Sequence, residues 1–214
     1  MRFLQSATHD TYVFQRQRIG ASQSDRVVVV FVASYYGSVQ RQVSSITVAG
    51  RSGTEAIASY RTGDPNYVLG DAAIWSFAVP AAITEADISV QFSQSTGGCS
   101  ITVYALYGTT AAAAVAGRAY HRDAESVRPT VTIDAPAGGI CIGGQLSTNI
   151  PLTGIAWTGL AEQDQMVDDQ GHTWTTAMTS FTDAVTGLVV STANSPNYRC
   201  YRTLLVACWA PAVE

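Results

Sequence analysis

The chain has 214 residues and a mass of 22.7 kDa, which is enough to bury one sizeable core without support from disulfides or bound metal ions. Charged residues make up only 13% of it, the net charge is −4, and every basic residue is arginine. This composition argues against nucleic-acid binding, and no stretch resembles a signal peptide or a membrane-spanning helix. We therefore expect one domain that is made in a cytoplasm and is either kept there or carried out of the cell in a particle.

The most apolar segment is the seven-residue run 27–33, Val-Val-Val-Val-Phe-Val-Ala, which follows Arg26. It is too short to span a membrane and lacks the polar face of a helix, so it predicts a strand buried on both sides. Residues 11–19 predict the strand before it, and the polar residues 20–25 predict the turn between them. Asp25 and Arg26 are expected to fix that turn through a cap and a partly buried ion pair.

Further short segments predict strands along the rest of the chain, separated by Gly, Pro, Asn and Asp. They are 45–49, 55–61, 72–79, 87–92, 99–107, 128–133, 140–146, 155–157, 173–178, 188–192 and 203–209. About a dozen short strands without a convincing amphipathic helix indicate an all-β fold, an antiparallel, jelly-roll-like β-sandwich. The alanine-rich stretch 109–117 predicts a connector, with a short helical turn as the alternative.

The two halves of the chain, 1–108 and 118–214, also echo one another. A strand pair (11–33; 130–146) is followed in each half by a tryptophan strand (Trp75; Trp174), an alternating strand (88–92; 188–192) and a strand led by cysteine (Cys99; Cys200). This pattern raises the possibility of an internal pseudo-repeat. Because the connector is short, a single sandwich of two sheets is favoured over two small domains.

Cysteine and histidine give no sign of a metal or redox centre. No Cys-x-x-Cys pair is present, and no histidine lies at ligand spacing from a cysteine. The apolar surroundings of Cys99, Cys141 and Cys208 predict buried free thiols. The three histidines belong to separate segments and are expected to be solvated loop residues; they are His9, His121 and His172.

The densest acidic stretch is 162–171, which carries Glu162, Asp164, Asp168 and Asp169. Four carboxylates so close could hold calcium, although a solvated loop between strands is the simpler interpretation. An enzyme that cuts polysaccharide would need a catalytic pair among the same four. No nucleophile elbow or phosphate-binding loop is present, so we expect no enzymatic activity and no cofactor.

Four tyrosines in predicted loops are candidates for glycan binding, because an aromatic face stacks on a sugar ring while the hydroxyl stays polar. They are Tyr35, Tyr36, Tyr198 and Tyr201. Packing at the edges of the sheets is the simpler interpretation of all four.

Several short motifs together resemble a type of small virion protein of tailed bacteriophages. They are Asp-Thr-Tyr-Val-Phe-Gln at 10–15, Ile-Gly-Ala-Ser-Gln-Ser-Asp-Arg-Val-Val-Val-Val at 19–30, Ser-Ile-Thr-Val-Ala-Gly at 45–50, Ala-Ile-Trp at 73–75, Val-Thr-Ile-Asp-Ala-Pro-Ala-Gly-Gly at 131–139 and Trp-Thr-Gly-Leu at 157–160. The resemblance covers most of the chain and implies a β-sandwich carried in the virion.

From this resemblance we expect a non-enzymatic structural protein, either a capsid decoration (cement) protein or a head or tail accessory subunit. The alternative is a receptor- or glycan-binding module of a tail fibre or tail tip. Expected partners are the major capsid or tail proteins and further copies of the chain itself. A trimer is favoured, because a closed three-fold ring fits the place where three capsomers meet.

Overall fold

The computed structural model describes residues 2–5, 8–35, 41–59, 70–121, 128–148, 155–167, 171–193 and 201–212. Within these ranges the regular structure is antiparallel β-strand, and no helix is long and apolar enough to cross a membrane. The chain divides into two compact units. Unit 1 comprises Met1–Ala113 and Pro211–Glu214, and unit 2 comprises Ala114–Ala210.

Unit 1 is a sandwich of two antiparallel sheets. Its strands are β1 (Arg2–Gln5), β2 (His9–Arg18), β3 (Val27–Tyr35), β4 (Val43–Val48), β5 (Arg51–Ser52), β6 (Thr54–Ala58), β7 (Gly70–Ala78), β8 (Glu85–Thr96) and β9 (Gly98–Leu106). The larger sheet has the order β1-β9-β3-β7-β6, and the smaller has the order β2-β8-β4-β5.

Unit 2 has the same construction. Its strands are β10 (Val115–His121), β11 (Thr130–Ala135), β12 (Ile140–Thr148), β13 (Ala156–Thr158), β14 (Ala161–Val167), β15 (Thr173–Ser180), β16 (Val185–Ala193) and β17 (Tyr201–Trp209). The larger sheet has the order β10-β17-β12-β15-β14, and the smaller has the order β11-β16-β13.

The strand order of unit 1 repeats in unit 2 once the two-residue β5 is set aside. Without β5, the described part of each unit has eight strands that pass back and forth between two antiparallel sheets, which is the jelly-roll arrangement. The all-β, jelly-roll-like prediction is confirmed, and the tryptophan, alternating and cysteine-led strands that were matched by sequence occupy matching places. That the two units together form a single domain stays a prediction.

The central strand β3 is buried on both sides, as its apolar run predicts. Every side chain from Val28 to Ala33 is fully inaccessible to solvent. Its inner side chains Val28, Val30 and Val32 belong to the core between the two sheets of unit 1. Because β-branched residues suit the pleated backbone, the same valines favour the strand and fill the core.

The core of unit 2 contains a disulfide between Cys141 on β12 and Cys208 on β17. The expectation of free thiols at these two positions is therefore wrong. The two cysteines are 67 residues apart, and only the strand register places them directly opposite each other. Cys99 is free and buried, as predicted, and burial raises the pKa of its thiol well above the ordinary value. Cys200 lies outside the described residues.

The alanine-rich stretch is a connector only in part, because its last three residues already belong to β10. Gly117 of this strand packs so closely on β11 that a Cβ atom there would lie 2.5 Å from Cγ1 of Val131. The small residues, which resemble a linker in the sequence, allow β10 to approach β11 closely. Neither a connector nor a helical turn therefore describes residues 115–117.

The buried side chain of Arg26 fixes the turn before β3 through carbonyl oxygens. Its guanidinium donates to the carbonyls of Gly20 (3.2 Å), Ala21 (2.8 Å), Pro80 (2.9 Å) and Ile83 (2.5 Å). The Asp25 carboxylate instead accepts a hydrogen bond from the backbone N–H of Gly108 at 2.6 Å. The expected role in turn geometry agrees with these contacts, but they do not include the expected ion pair.

Candidate functional site

Polar side chains collect between the two sheets at one end of each unit. In unit 1 this is where β3 ends and β7 and β9 begin, and Ser34 lies opposite Asp71 and Cys99. In unit 2 it is where β12 ends and β15 and β17 begin, and Ser147 lies opposite Thr173 and Arg202. We call these the polar ends of the two units. They occupy equivalent places in the repeated strand order.

Asp71 is the central group at the polar end of unit 1, and its side chain is only 3% exposed. The hydroxyl of Ser59, the residue after β6, forms a hydrogen bond with one carboxyl oxygen. The other carboxyl oxygen accepts a hydrogen bond from the backbone N–H of Val43 at 3.0 Å. The N–H of Ala72 donates to the same Ser59 hydroxyl at 2.9 Å. Because β4 belongs to the smaller sheet and β6 and β7 to the larger, this carboxyl ties the two sheets together.

Burial raises the pKa of Asp71 from its ordinary value of 3.8 to about 7. The hydrogen bonds from Ser59, Val43 and Ala72 lower this pKa, while the nearby negative charge of Glu55 raises it. Desolvation disfavours the charged carboxylate more than these bonds favour it. The carboxyl therefore stays mostly protonated below pH 7 and loses its proton around pH 7.

A second polar group at this end is centred on Tyr12. Its hydroxyl accepts from the N–H of His9 at 3.2 Å and donates to the carbonyl of Thr96 at 2.8 Å. The hydroxyl of Thr96 lies 3.0 Å from the same oxygen, and the ring of Phe92 meets the Tyr12 ring edge-on. Burial raises the pKa of Tyr12. The carboxyl of Asp71 and the hydroxyl of Tyr12 thus have hydrogen-bond partners within unit 1.

The polar end of unit 2 is formed by six side chains, none more than 3% exposed. They lie on the same strands as core residues and in phase with them, so they point to the inner side of the sandwich. The set comprises Gln145, Ser147, Thr173, Thr175, Thr192 and Arg202. Thr192 lies on the smaller sheet, and the other five lie on the larger one.

Hydrogen bonds connect several of these side chains. Gln145 donates from Nε2 to the Ser147 hydroxyl at 2.7 Å. The indole N–H of Trp157 donates to the Thr175 hydroxyl at 2.9 Å, and that hydroxyl donates to the carbonyl of Asp164 at 3.0 Å. The aromatic ring of Trp157 is thereby held beside the polar end.

Two buried atoms in this set lack a hydrogen-bond partner in the part of the chain that the structure describes. They are Oε1 of Gln145 and Oγ1 of Thr192. A buried polar atom without a partner costs about 1–3 kcal/mol, so a group that hydrogen-bonds these atoms would be held there. This makes the polar end of unit 2 the candidate binding site.

The predicted calcium loop is in part a strand. Glu162 is exposed and Asp164 half-buried on β14, an edge strand, with a bulge between them. Asp168 and Asp169 lie outside the described residues. Among the residues described, no three metal-binding side chains come together.

The predicted glycan-binding tyrosines are not assembled into one described surface. Tyr35 ends β3 rather than lying in a loop, is 5% exposed, and packs its ring on Gly97 and Gly98. Tyr201 begins β17, and its side chain lies outside what the structure describes, as do Tyr36 and Tyr198. Tyr35 is thus a packing residue, but on the central strand of its sheet rather than at a sheet edge.

The histidines differ from the solvated loop residues expected. His172 is buried at 7% exposure, and its ring centroid lies 6.3 Å from that of Trp174. His9 is exposed and begins β2, and its ring meets Tyr12 edge-on. His121 ends β10.

The residues that mark the two polar ends were missed in the sequence. Asp71 precedes an apolar strand and resembles an ordinary turn residue, while Gln145 and Thr192 belong to no motif. The available signal was periodicity: Gln145 is in phase with Cys141 along β12, so it points inward. A polar residue in that phase needs a partner inside the protein.

No protein-family model matches the chain, and no curated protein matches it. Among solved structures, it is similar to the C-terminal domain of the AgI/II polypeptide BspA from Streptococcus agalactiae, with 9% identity over 86% of this chain and 76% of that one. The TM-score of 0.19 is too low to support an argument about fold or function.

Proposed function

We propose that the chain is a non-enzymatic structural protein of a tailed-phage virion, serving as a capsid decoration (cement) protein or as a head or tail accessory subunit. The observation that carries this proposal is the repeated jelly roll with one strand order in both units. Jelly rolls recur in viral capsid proteins, and this analogy of fold joins the motif resemblance described above. The protein is made in the host cytoplasm and carried in the particle.

The outer faces of the smaller sheets support a role in assembly. In unit 1, strand register forms the uncharged rows Thr11-Gln91-Ser45 and Val13-Ser89-Thr47. In unit 2 the corresponding row is Thr130-Ser191-Thr158. Such rows without charge can pack against neighbouring subunits without burying unpaired ions.

The disulfide between Cys141 and Cys208 also supports carriage outside the cell. Disulfides persist in oxidising surroundings and are rare in a reducing cytoplasm. A bond that forms after release would then strengthen unit 2 in the particle.

Mass spectrometry and cryo-electron microscopy of purified particles test this function. We expect the chain in the virion, in contact with the major capsid or tail proteins. Hundreds of copies per particle indicate capsid decoration or a tail tube, while a handful indicate a vertex, a fibre or the tail tip. Absence from purified particles would contradict the proposal.

A second candidate function is a receptor- or glycan-binding module at a tail fibre or tail tip. The two unpartnered atoms at the polar end of unit 2 favour it, and jelly rolls also serve as lectins. Purified protein should then compete with phage adsorption to host cells. Unchanged adsorption at saturating protein would count against this candidate.

A further inference from the structure

The two polar ends occupy the same place in the repeated fold but differ in how their polar groups are satisfied. In unit 1, the carboxyl of Asp71 bonds to Ser59 beside the larger sheet and to Val43 of the smaller one, and the hydroxyl of Tyr12 bonds to Thr96 of its own sheet. In unit 2, Gln145 and Thr192 each keep a buried oxygen with no partner among the described residues. Unit 1 therefore serves as an internal reference in which such an end is closed by its own side chains.

The chemistry of the two oxygens specifies what could complete them. Oε1 of Gln145 is an acceptor only, whereas Oγ1 of Thr192 both donates and accepts. A ligand hydroxyl can donate its proton to Oε1 of Gln145 and accept a hydrogen bond from the hydroxyl of Thr192. If the Gln145 amide is turned over, its unpartnered NH₂ needs an acceptor, and a hydroxyl supplies that as well. A hydroxyl thus fits either orientation of the amide.

An aromatic ring stands beside these oxygens. Trp157 pairs with Thr192 across the smaller sheet, and its indole N–H is held by Thr175. An aromatic side chain next to a few fixed polar groups is the usual composition of a small-molecule site. Thr173 and Arg202 already take part in other interactions, so they are not needed as open ligands.

We propose that the polar end of unit 2 binds a hydroxyl of a neutral sugar, with Gln145 and Thr192 as its hydrogen-bonding residues and Trp157 as the neighbouring aromatic. This inference rests on the second candidate function and gives it a site and a ligand class. Gln145 lies on the larger sheet and Thr192 on the smaller one, and both side chains are buried on the inner side, so the sugar hydroxyl is bound between the two sheets.

The test uses the full-length chain with its disulfide intact and four probes, the methyl glycosides of glucose, galactose, mannose and N-acetylglucosamine. Each probe is titrated while the side-chain amide signal of Gln145 is followed by ¹⁵N–¹H NMR. The signal is assigned by its loss in Gln145→Leu. We expect at least one glycoside to shift it in a saturable manner.

Two variants and a control test the residues. Gln145→Leu and Thr192→Val keep the approximate size of each side chain and remove its hydrogen-bonding group. Each should raise the dissociation constant of the bound glycoside about tenfold, the effect of one lost hydrogen bond. Thr158→Val is the matched control, because Thr158 lies on the strand next to Thr192 but faces solvent. Its dissociation constant should stay unchanged.

Urea unfolding checks that each variant is folded, and Thr192→Val, the more conservative change, is decisive if Gln145→Leu does not fold. No shift of the Gln145 amide with any of the four glycosides would overturn the inference. So would a glycoside that binds equally well to folded Thr192→Val, or a crystal structure grown with glycoside that shows only a water between Gln145 and Thr192. The presence of the chain in the virion is tested on purified particles and glycoside binding on the isolated protein, so one proposal can fail while the other holds.

Discussion

At the scale of single residues, the clearest consequence concerns the proton on Asp71. Its folded-state pKa of about 7 lies above the ordinary value of 3.8. The unfolded chain therefore loses this proton first as the pH rises. The stabilising contribution of the protonated carboxyl is complete below pH 3.8 and is lost as the pH rises through 7.

We expect Asp71→Asn to remove this pH dependence. A shift of about three pKa units corresponds to about 4 kcal/mol, so the wild-type free energy of unfolding should fall by up to that amount between about pH 4 and pH 7 relative to the variant. Urea unfolding across this range measures the difference. Asp183→Asn, at an exposed site of unit 2, is the control and should leave the wild-type slope in place. Parallel curves for Asp71→Asn and the wild type would refute the assignment.

Arg26 is the second residue whose substitution should change the stability of unit 1. Arg26→Met leaves carbonyl oxygens of Gly20, Ala21, Pro80 and Ile83 without their donor. Because hydrogen bonds to a charged group contribute about 1.5–3 kcal/mol each, we expect a loss of about 3 kcal/mol or more in urea unfolding. Arg18→Met, at an exposed arginine ending β2, should change stability by less than about 0.5 kcal/mol. Equal losses for the two variants would contradict this role.

At the scale of strands, β10 shows how a linker-like sequence can form a close-packed element. Gly117→Val should push β10 away from β11, because its Cβ would meet Val131 and Ile133 at 2.5 and 2.8 Å. Overpacking of this kind costs about 1–3 kcal/mol in the free energy of unfolding. Ala116→Val, one residue earlier and exposed, is the matched control and should be close to neutral. A neutral Gly117→Val would show that β10 is not packed in this way.

The disulfide joins two neighbouring strands of unit 2 and closes a loop across a sequence separation of 67. In the chain-entropy account, such a loop contributes about 4 kcal/mol, although measured values are commonly 2–4 kcal/mol. We expect Cys141→Ala with Cys208→Ala to lower the stability of unit 2 by about that amount. Urea unfolding with and without reductant measures it. Cys99→Ala is the control and should leave the sensitivity to reductant unchanged, whereas a reductant-insensitive wild type would contradict the prediction.

Sequence periodicity predicted most elements because each signal is local. The Val run gave β3, and clean alternation gave β8 from Ile88 to Phe92. The disulfide and the unpartnered oxygen of Gln145 depend on which strands become neighbours, and that is set by residues far away in the chain. The same limit explains β14, whose acidic residues resemble a solvated loop until β15 pairs with them.

At the scale of the whole molecule, the repeat is more evident in topology than in sequence. The two units share a strand order although their inner residues differ, with Asp71 at one polar end and Gln145 at the other. A jelly roll requires only that apolar residues recur at inward positions, so the identities of those residues can diverge while the strand order persists. As a result, the polar end of unit 1 is closed by its own side chains, whereas the polar end of unit 2 is the one proposed to bind a ligand.

The proposed role in the virion implies that the chain assembles as a homotrimer. A subunit placed where three capsomers meet occupies a local three-fold position, and a closed ring of three identical chains fills it with one repeated interface. Each sheet also ends in edge strands, β1 and β6 in the larger sheet of unit 1, and neighbours that cover such edges protect them from uncontrolled pairing. Light scattering of the isolated protein should therefore give three times the chain mass of 22.7 kDa. A monomer at micromolar concentration, together with particles lacking three-fold density, would rule out the trimer and leave single-copy attachment.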